Sequence, residues 1–158
     1  MGEDNPFGVD AIQLDHNFGE GLIGRMTNDP AKARAGFSAA RIAQEKRIQA
    51  QPDYGPAYCI LGLIDAGLGR KEEALREGRR AIELLPVAKD AINGPHMIEY
   101  FAITAAWVGE KDLAFEQLDA AIHMPAEVSY GRLKLLPYYD PLRGDPRFEK
   151  IVNSLAPK

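Results

Sequence analysis

Residues 57–86 read AYCILGLIDAGLGRKEEALREGRRAIELLP, and this stretch decides the fold. Residues 57–68 are apolar nearly all round, with Asp65 as their single charge. A helix without a polar face must be covered on several sides. After the break Gly67-Leu68-Gly69 the pattern changes. Ala74, Leu75, Gly78, Ala81, Ile82 and Leu85 fall on one stripe at helical period. The opposite face, from Arg70 and Lys71 through Glu77 to Glu83, is charged with both signs. Pro86 cannot continue a helix and closes the unit. This is a helical hairpin with too few partners to bury its first helix, so more hairpins should flank it.

The flanks carry the same signals. After Pro95, the residues Met97, Ile98, Phe101, Ala102, Ala105 and Val108 give another apolar helix, and Gly109-Glu110-Lys111 a turn. Ala114, Leu118, Ala121 and Ile122 then repeat the stripe of residues 74–82 at a constant shift of 40, the interval from Gly69 to Gly109. Pro125 closes this unit. Upstream, Asn28-Asp29-Pro30 offers a capping residue followed by a proline in the first turn of a helix running to about Ala50. Its Ala33, Phe37 and Ala40 keep the small-bulky-small spacing, and Pro52 ends it. Before it a helix is expected from about Asp10 to Met26. Its Gly19, Gly21 and Gly24 each cost about 1 kcal/mol against alanine, so close packing has to compensate.

Tyr58, Leu61, Gly62, Gly69, Ala74, Ala81 and Pro86 together resemble the tetratricopeptide repeat. Asp65 and Gly78 depart from that pattern, standing where an aromatic and a bulky residue are usual. The resemblance covers most of the chain from about Pro30 onward. It implies an all-α, right-handed superhelix of about three helix-turn-helix hairpins with a C-terminal capping helix. The whole chain, residues 1–158, is then one domain: a degenerate first hairpin at 9–50, a second at 55–86, a third at 95–125 and a cap at 126–158. The 40-residue interval exceeds the usual repeat of about 34, so an insertion lies between Pro86 and Pro95, holding a helical turn ended by Asn93-Gly94.

In the tail a short helix is expected near residues 130–135, then an aromatic turn through Pro137-Tyr138-Tyr139. A last helix runs from about Pro146 to Leu155, capped by Asp145, with Phe148, Ile151, Val152 and Leu155 as its buried stripe. Residues 140–152, DPLRGDPRFEKIV, resemble the ends of bacterial multidomain proteins in which a repeat array follows an effector domain. That resemblance implies a sensor or scaffold part of a longer regulatory protein.

Composition narrows the function. The 158 residues carry 19 Lys plus Arg against 23 Asp plus Glu, a net charge of −4, which argues against an electrostatic nucleic-acid binder. No run approaches the roughly 18 apolar residues of a membrane span, residues 1–8 read as a flexible lead-in, and residues 1–10 show no basic-then-apolar secretory signal. One cysteine excludes an intrachain disulfide framework and leans toward a reducing, cytoplasmic setting. Cys59 sits in an apolar helix with no basic neighbour to depress its pKa, which favours a buried structural thiol over a nucleophile served by His96 or His123. His16, His96 and His123 show no metal-ligand spacing beyond His96 and Glu99 at i, i+3, and no cofactor loop occurs.

By analogy with the repeat family, the first helix of each pair lines a concave side. Phe18, Leu22 and Met26, then Cys59, Leu63 and Ala66, then Glu99, Ile103 and Trp107 face it, with Arg25 and Glu99 at the edges. A largely apolar groove of that kind suits a partner helix or an extended peptide, so the expected function is protein–protein interaction without catalysis. The same residues also fit a core covered by the long helix or the tail. A sensor for a small apolar ligand is the first alternative, and a Cys/His hydrolase the second. The basic helix face (Lys32, Arg34, Arg41, Lys46, Arg47) and the acidic third hairpin (Glu110, Asp112, Glu116, Asp119) suggest a homodimer joined head to tail.

Overall fold

The computed structural model describes residues 12–124 and 128–157. Among them every regular element is helical: α1 (His16–Met26), α2 (Pro30–Ala50), α3 (Gly55–Gly67), α4 (Lys71–Leu84), α5 (Gly94–Trp107), α6 (Lys111–Ile122), α7 (Tyr130–Leu135), a 3-10 segment (Pro137–Leu142) and α8 (Pro146–Ser154). Helices α1 and α2, α3 and α4, and α5 and α6 form three hairpins packed side by side. No described helix is long and apolar enough to cross a membrane.

One backbone device closes all three hairpins. The chain leaves the first helix through a residue of positive φ: Asn28 at 54°, Gly69 at 76° and Gly109 at 84°. The following amide then donates to a carbonyl five residues earlier, Asp29 to Gly24 at 2.8 Å, Arg70 to Asp65 at 2.9 Å and Glu110 to Ala105 at 2.9 Å. This bond satisfies a helix-end carbonyl that would otherwise be orphaned. The internal repetition read from the sequence is therefore present in the backbone.

Small residues stand where the rods touch. A Cβ on Gly62 of α3 would lie 3.0 Å from the Ala74 carbonyl oxygen and 3.1 Å from the Gly78 nitrogen of α4. A Cβ on Gly36 of α2 would lie 2.3 Å from the Gly21 nitrogen of α1, and one on Gly24 equally close to the Ala33 nitrogen. Two of the glycines that weaken α1 by propensity, Gly21 and Gly24, are thus its crossing points with α2. Gly78 also gains a reason. The Phe101 ring of α5 occupies the space its side chain would need, at 2.3 Å from a built Cβ, so the bulk comes from the neighbouring hairpin.

Two boundaries differ from expectation. The first helix begins at His16, not near Asp10, because Asp15 is extended and its Oδ1 accepts from the Phe18 amide at 2.8 Å. Asp10 itself, like Pro125, lies outside the described residues. The insertion does hold single helical turns, the Asp90 amide on the Pro86 carbonyl at 3.1 Å and the Gly94 amide on the Asp90 carbonyl at 2.9 Å, but Gly94 also opens α5. Both Asp90 carboxylate oxygens hold Asn93, and a Cβ on Gly94 would press 2.7 Å from the Val87 Cα. The last helix ends at Ser154, with Leu155 as its cap.

Candidate functional site

The surface expected to be a groove is closed. Phe18, Leu22, Cys59, Leu63, Ala66, Glu99, Ile103 and Trp107 are all buried. Of the ten residues expected there, only Arg25, half-buried, and Met26, 56% exposed, reach solvent. Along α5 the occupant is the chain's own tail, while Phe18 of α1 packs on Phe37 of α2. The Trp107 indole Nε1 donates to the Tyr138 carbonyl at 2.9 Å, and the Tyr138 ring tilts against both Trp107 and Tyr100. Leu133, Tyr139 and Leu142 are fully covered. Arg25 lies with its guanidinium 4.4 Å from the Trp107 ring centroid, capping the indole, and burial pulls its pKa down against the opposing charge of Asp140.

Glu99 fastens this arrangement. Its carboxylate is wholly buried, with Oε1 accepting from the Tyr139 hydroxyl at 2.7 Å and from Arg132 Nη2 at 2.9 Å. Oε2 faces His96 Nδ1 at 3.5 Å. Burial alone pushes the Glu99 carboxyl up, but His96, Arg132 and Tyr139 outweigh it and hold the group below the usual carboxylate range. Burial and the Glu99 charge drive the Tyr139 hydroxyl well up, and burial takes Tyr138 up to about 12. A residue expected at the rim of a groove is instead an internal anchor, and its partners Arg132 and Tyr139 come from the tail. No local sequence signal joins residues 33 and 40 positions apart.

The Cys59 thiol is buried, and desolvation followed by the Glu99 charge pushes its pKa up, opposite to the depression an attacking thiolate needs. His16 and His123 are exposed on other elements, His16 beside Glu20 and His123 with Nδ1 on the Asp119 carbonyl oxygen at 2.7 Å. Among the described residues no three of His, Cys, Asp and Glu converge as metal ligands. The basic face of α2 is mostly engaged. Arg41 turns inward to Asp65, Lys32 pairs with Glu20 and Arg47 reaches the Gln13 carbonyl.

Open surface concavities include one of about 350 Å³ at the α1–α2 turn, lined by Gly24, Arg25, Asp29, Ala33 and Gly67, and two more. One, of about 340 Å³, lies beside α4 and is lined by Tyr58, Arg76, Glu77, Arg79, Arg80 and Glu83. The other, of about 370 Å³, runs between α6 and α8. Phe115, Ile122 and Ile151 form its floor, with Asp119 on the α6 wall and Arg147, Lys150 and Ser154 on the α8 wall. Arg147 lies 4.2 Å from the Phe115 ring centroid and is tied to Asp112 and Asp145, so its position is fixed. This groove escapes sequence reading because it exists only through the crossing of two helices distant in the chain. Compared with protein-family models, curated proteins and solved structures, the chain matches none.

Proposed function

We propose that the chain is a helical-repeat interaction module of tetratricopeptide type, a right-handed stack of hairpins that docks a helix of a partner protein and carries out no chemistry itself. The thrice-repeated hairpin closure and the glycine crossings support the architecture. In keeping with the resemblance of its C-terminal residues, the module serves a larger regulatory assembly.

The observation that carries the docking site is the α6–α8 groove. An apolar floor between two helices is the setting in which a third amphipathic helix buries its stripe. Asp119 on α6 and Lys150 on α8 both line the groove and form no ion pair among the described residues. They favour an incoming helix with a base on the α6 side and an acid on the α8 side. The inner face, where a small apolar ligand would sit, is filled by Tyr138, Tyr139 and Leu142, so the sensor reading has less support.

The test is site-specific photo-crosslinking from α8, run in parallel with Ile122→Asp and Ile92→Asp. Ile92 is 74% exposed and outside the groove. The same helical segment should crosslink in the wild type and in Ile92→Asp and be lost in Ile122→Asp, with both variants melting like the wild type. Crosslinking that survives Ile122→Asp, or is lost equally in both, refutes the proposal.

A further inference from the structure

Asp65 of α3 and Glu77 of α4 are buried carboxyls within one hairpin, and the structure leaves one oxygen of each, Asp65 Oδ2 and Glu77 Oε2, without a hydrogen-bond partner. The two groups interact directly across the helix interface, beside the close approach at Gly62. Two ionised carboxylates are acceptors only, so leaving both of these solvent-shielded oxygens as facing acceptors is costly. One proton between them satisfies both orphan oxygens.

The cations around the pair are divided among other groups. From α2, Arg41 Nε meets Asp65 Oδ1 at 2.7 Å while its Nη1 holds Glu45 at 2.5 Å. From the α3–α4 turn, Arg70 stands 3.8 Å from Asp65 Oδ1 and 3.0 Å from Glu73. On α4, Arg76 holds Glu77 Oε1 at 2.8 Å. Arg79 and Arg80, which border Glu77 on the open side of α4, are taken up by the Phe101 ring and by Glu83, so the cations that reach the two carboxyls are each shared or exposed: Arg41 with Glu45, Arg70 with Glu73, and Arg76 at the surface. Helix α5, packed on both α3 and α4, keeps His96, Glu99 and Tyr100 in the separate cluster around Arg132, and α1 commits Glu20 to Lys32 and Arg25 to Trp107. Asp65 has two cations within reach and Glu77 one exposed arginine, so the proton resides on Glu77.

We propose that Asp65 and Glu77 share one proton across the α3–α4 interface, making the middle hairpin a pH-sensitive joint that tightens on acidification and loosens when the proton is lost. Burial, followed by the Asp65 charge, raises the Glu77 pKa against the pull of Arg76. A folded-state value above the unfolded one means the native chain binds the extra proton. The stabilisation is therefore complete below the ordinary glutamate value and is lost as pH rises through the folded value. Glu77→Gln copies the protonated form, its amide donating to Asp65 Oδ2 and its carbonyl oxygen accepting from Arg76.

The experiment is a carbon-13 titration of the Glu77 carboxyl in the folded chain, with the pH profiles of unfolding for the wild type and Glu77→Gln. Glu77 should titrate above its ordinary 4.5. The ratio of folding constants, wild type over Glu77→Gln, should fall by up to about tenfold per pH unit between that value and the folded one, then level off. A Glu77 carboxyl that titrates at or below 4.5, or a ratio flat with pH, overturns the proposal. The titration needs only the native chain, so it decides the matter even if a variant folds poorly.

Discussion

Gly36→Ala and Gly131→Ala place the same methyl on two helices and should move stability in opposite directions. By helix propensity alone both replacements gain up to about 1 kcal/mol. At Gly36 the new carbon meets the Gly21 nitrogen at 2.3 Å and the Gly21 Cα at 2.7 Å. These are backbone atoms, so no rotamer change relieves the contact and α1 must shift from α2. Overpacking of that kind costs about 1–3 kcal/mol, and against unyielding backbone atoms the upper end applies, leaving a net loss of about 2 kcal/mol after the propensity gain. At Gly131 nothing lies within 4 Å, so the gain stands unopposed. For a chain of this size each kcal/mol moves Tm by about 2–4 °C, so Gly36→Ala melts several degrees lower and Gly131→Ala a few degrees higher. Urea unfolding with unchanged m-values checks that stability, not compactness, has moved. A Gly36→Ala variant as stable as the wild type refutes the claim that the first hairpin depends on bare backbone contact.

Glu99→Ala strips the anchor from Arg132 and the Tyr139 hydroxyl, and breaking such a buried pair costs about 3–5 kcal/mol. The amides of residues 132–142 should lose hydrogen-exchange protection well before those of α3 and α4. Cys59 reports the same event. In the wild type its buried thiol should react with a thiol reagent only on unfolding, whereas in Glu99→Ala it reacts from the folded hairpins. Equal reactivity in both would contradict the tail's role as a cover.

The hairpins were legible because their signals are local. The turn glycines and the Gly62, Ala74 and Ala81 spacing lie within single units, the 40-residue shift repeats the pattern in the next, and helix periodicity tells which side of a rod is buried. It does not tell what does the burying. An apolar inner face reads alike whether a partner, a ligand or the chain's own tail covers it, and Glu99, matched only by Arg132 and Tyr139 from the tail, could be placed at a rim. Gly78 and Asp65 looked like departures from the repeat for the same reason. The first makes room for Phe101 of the next hairpin, and the second answers Arg41 of the previous one. The early start expected for α1 failed on capping chemistry, since Asp15 can hold the Phe18 amide only by standing outside the helix.

Trp107 is the chain's single tryptophan and is 8% exposed beneath Tyr138 and Arg25, so its emission reports directly on whether the inner face is closed. Collisional quenching by acrylamide in the native protein is the deciding measurement. A face sealed by residues 128–142 gives blue-shifted emission that acrylamide barely reaches until the chain unfolds. Red-shifted emission quenched as freely as an exposed indole would mean that the groove is open and the tail does not lie in it.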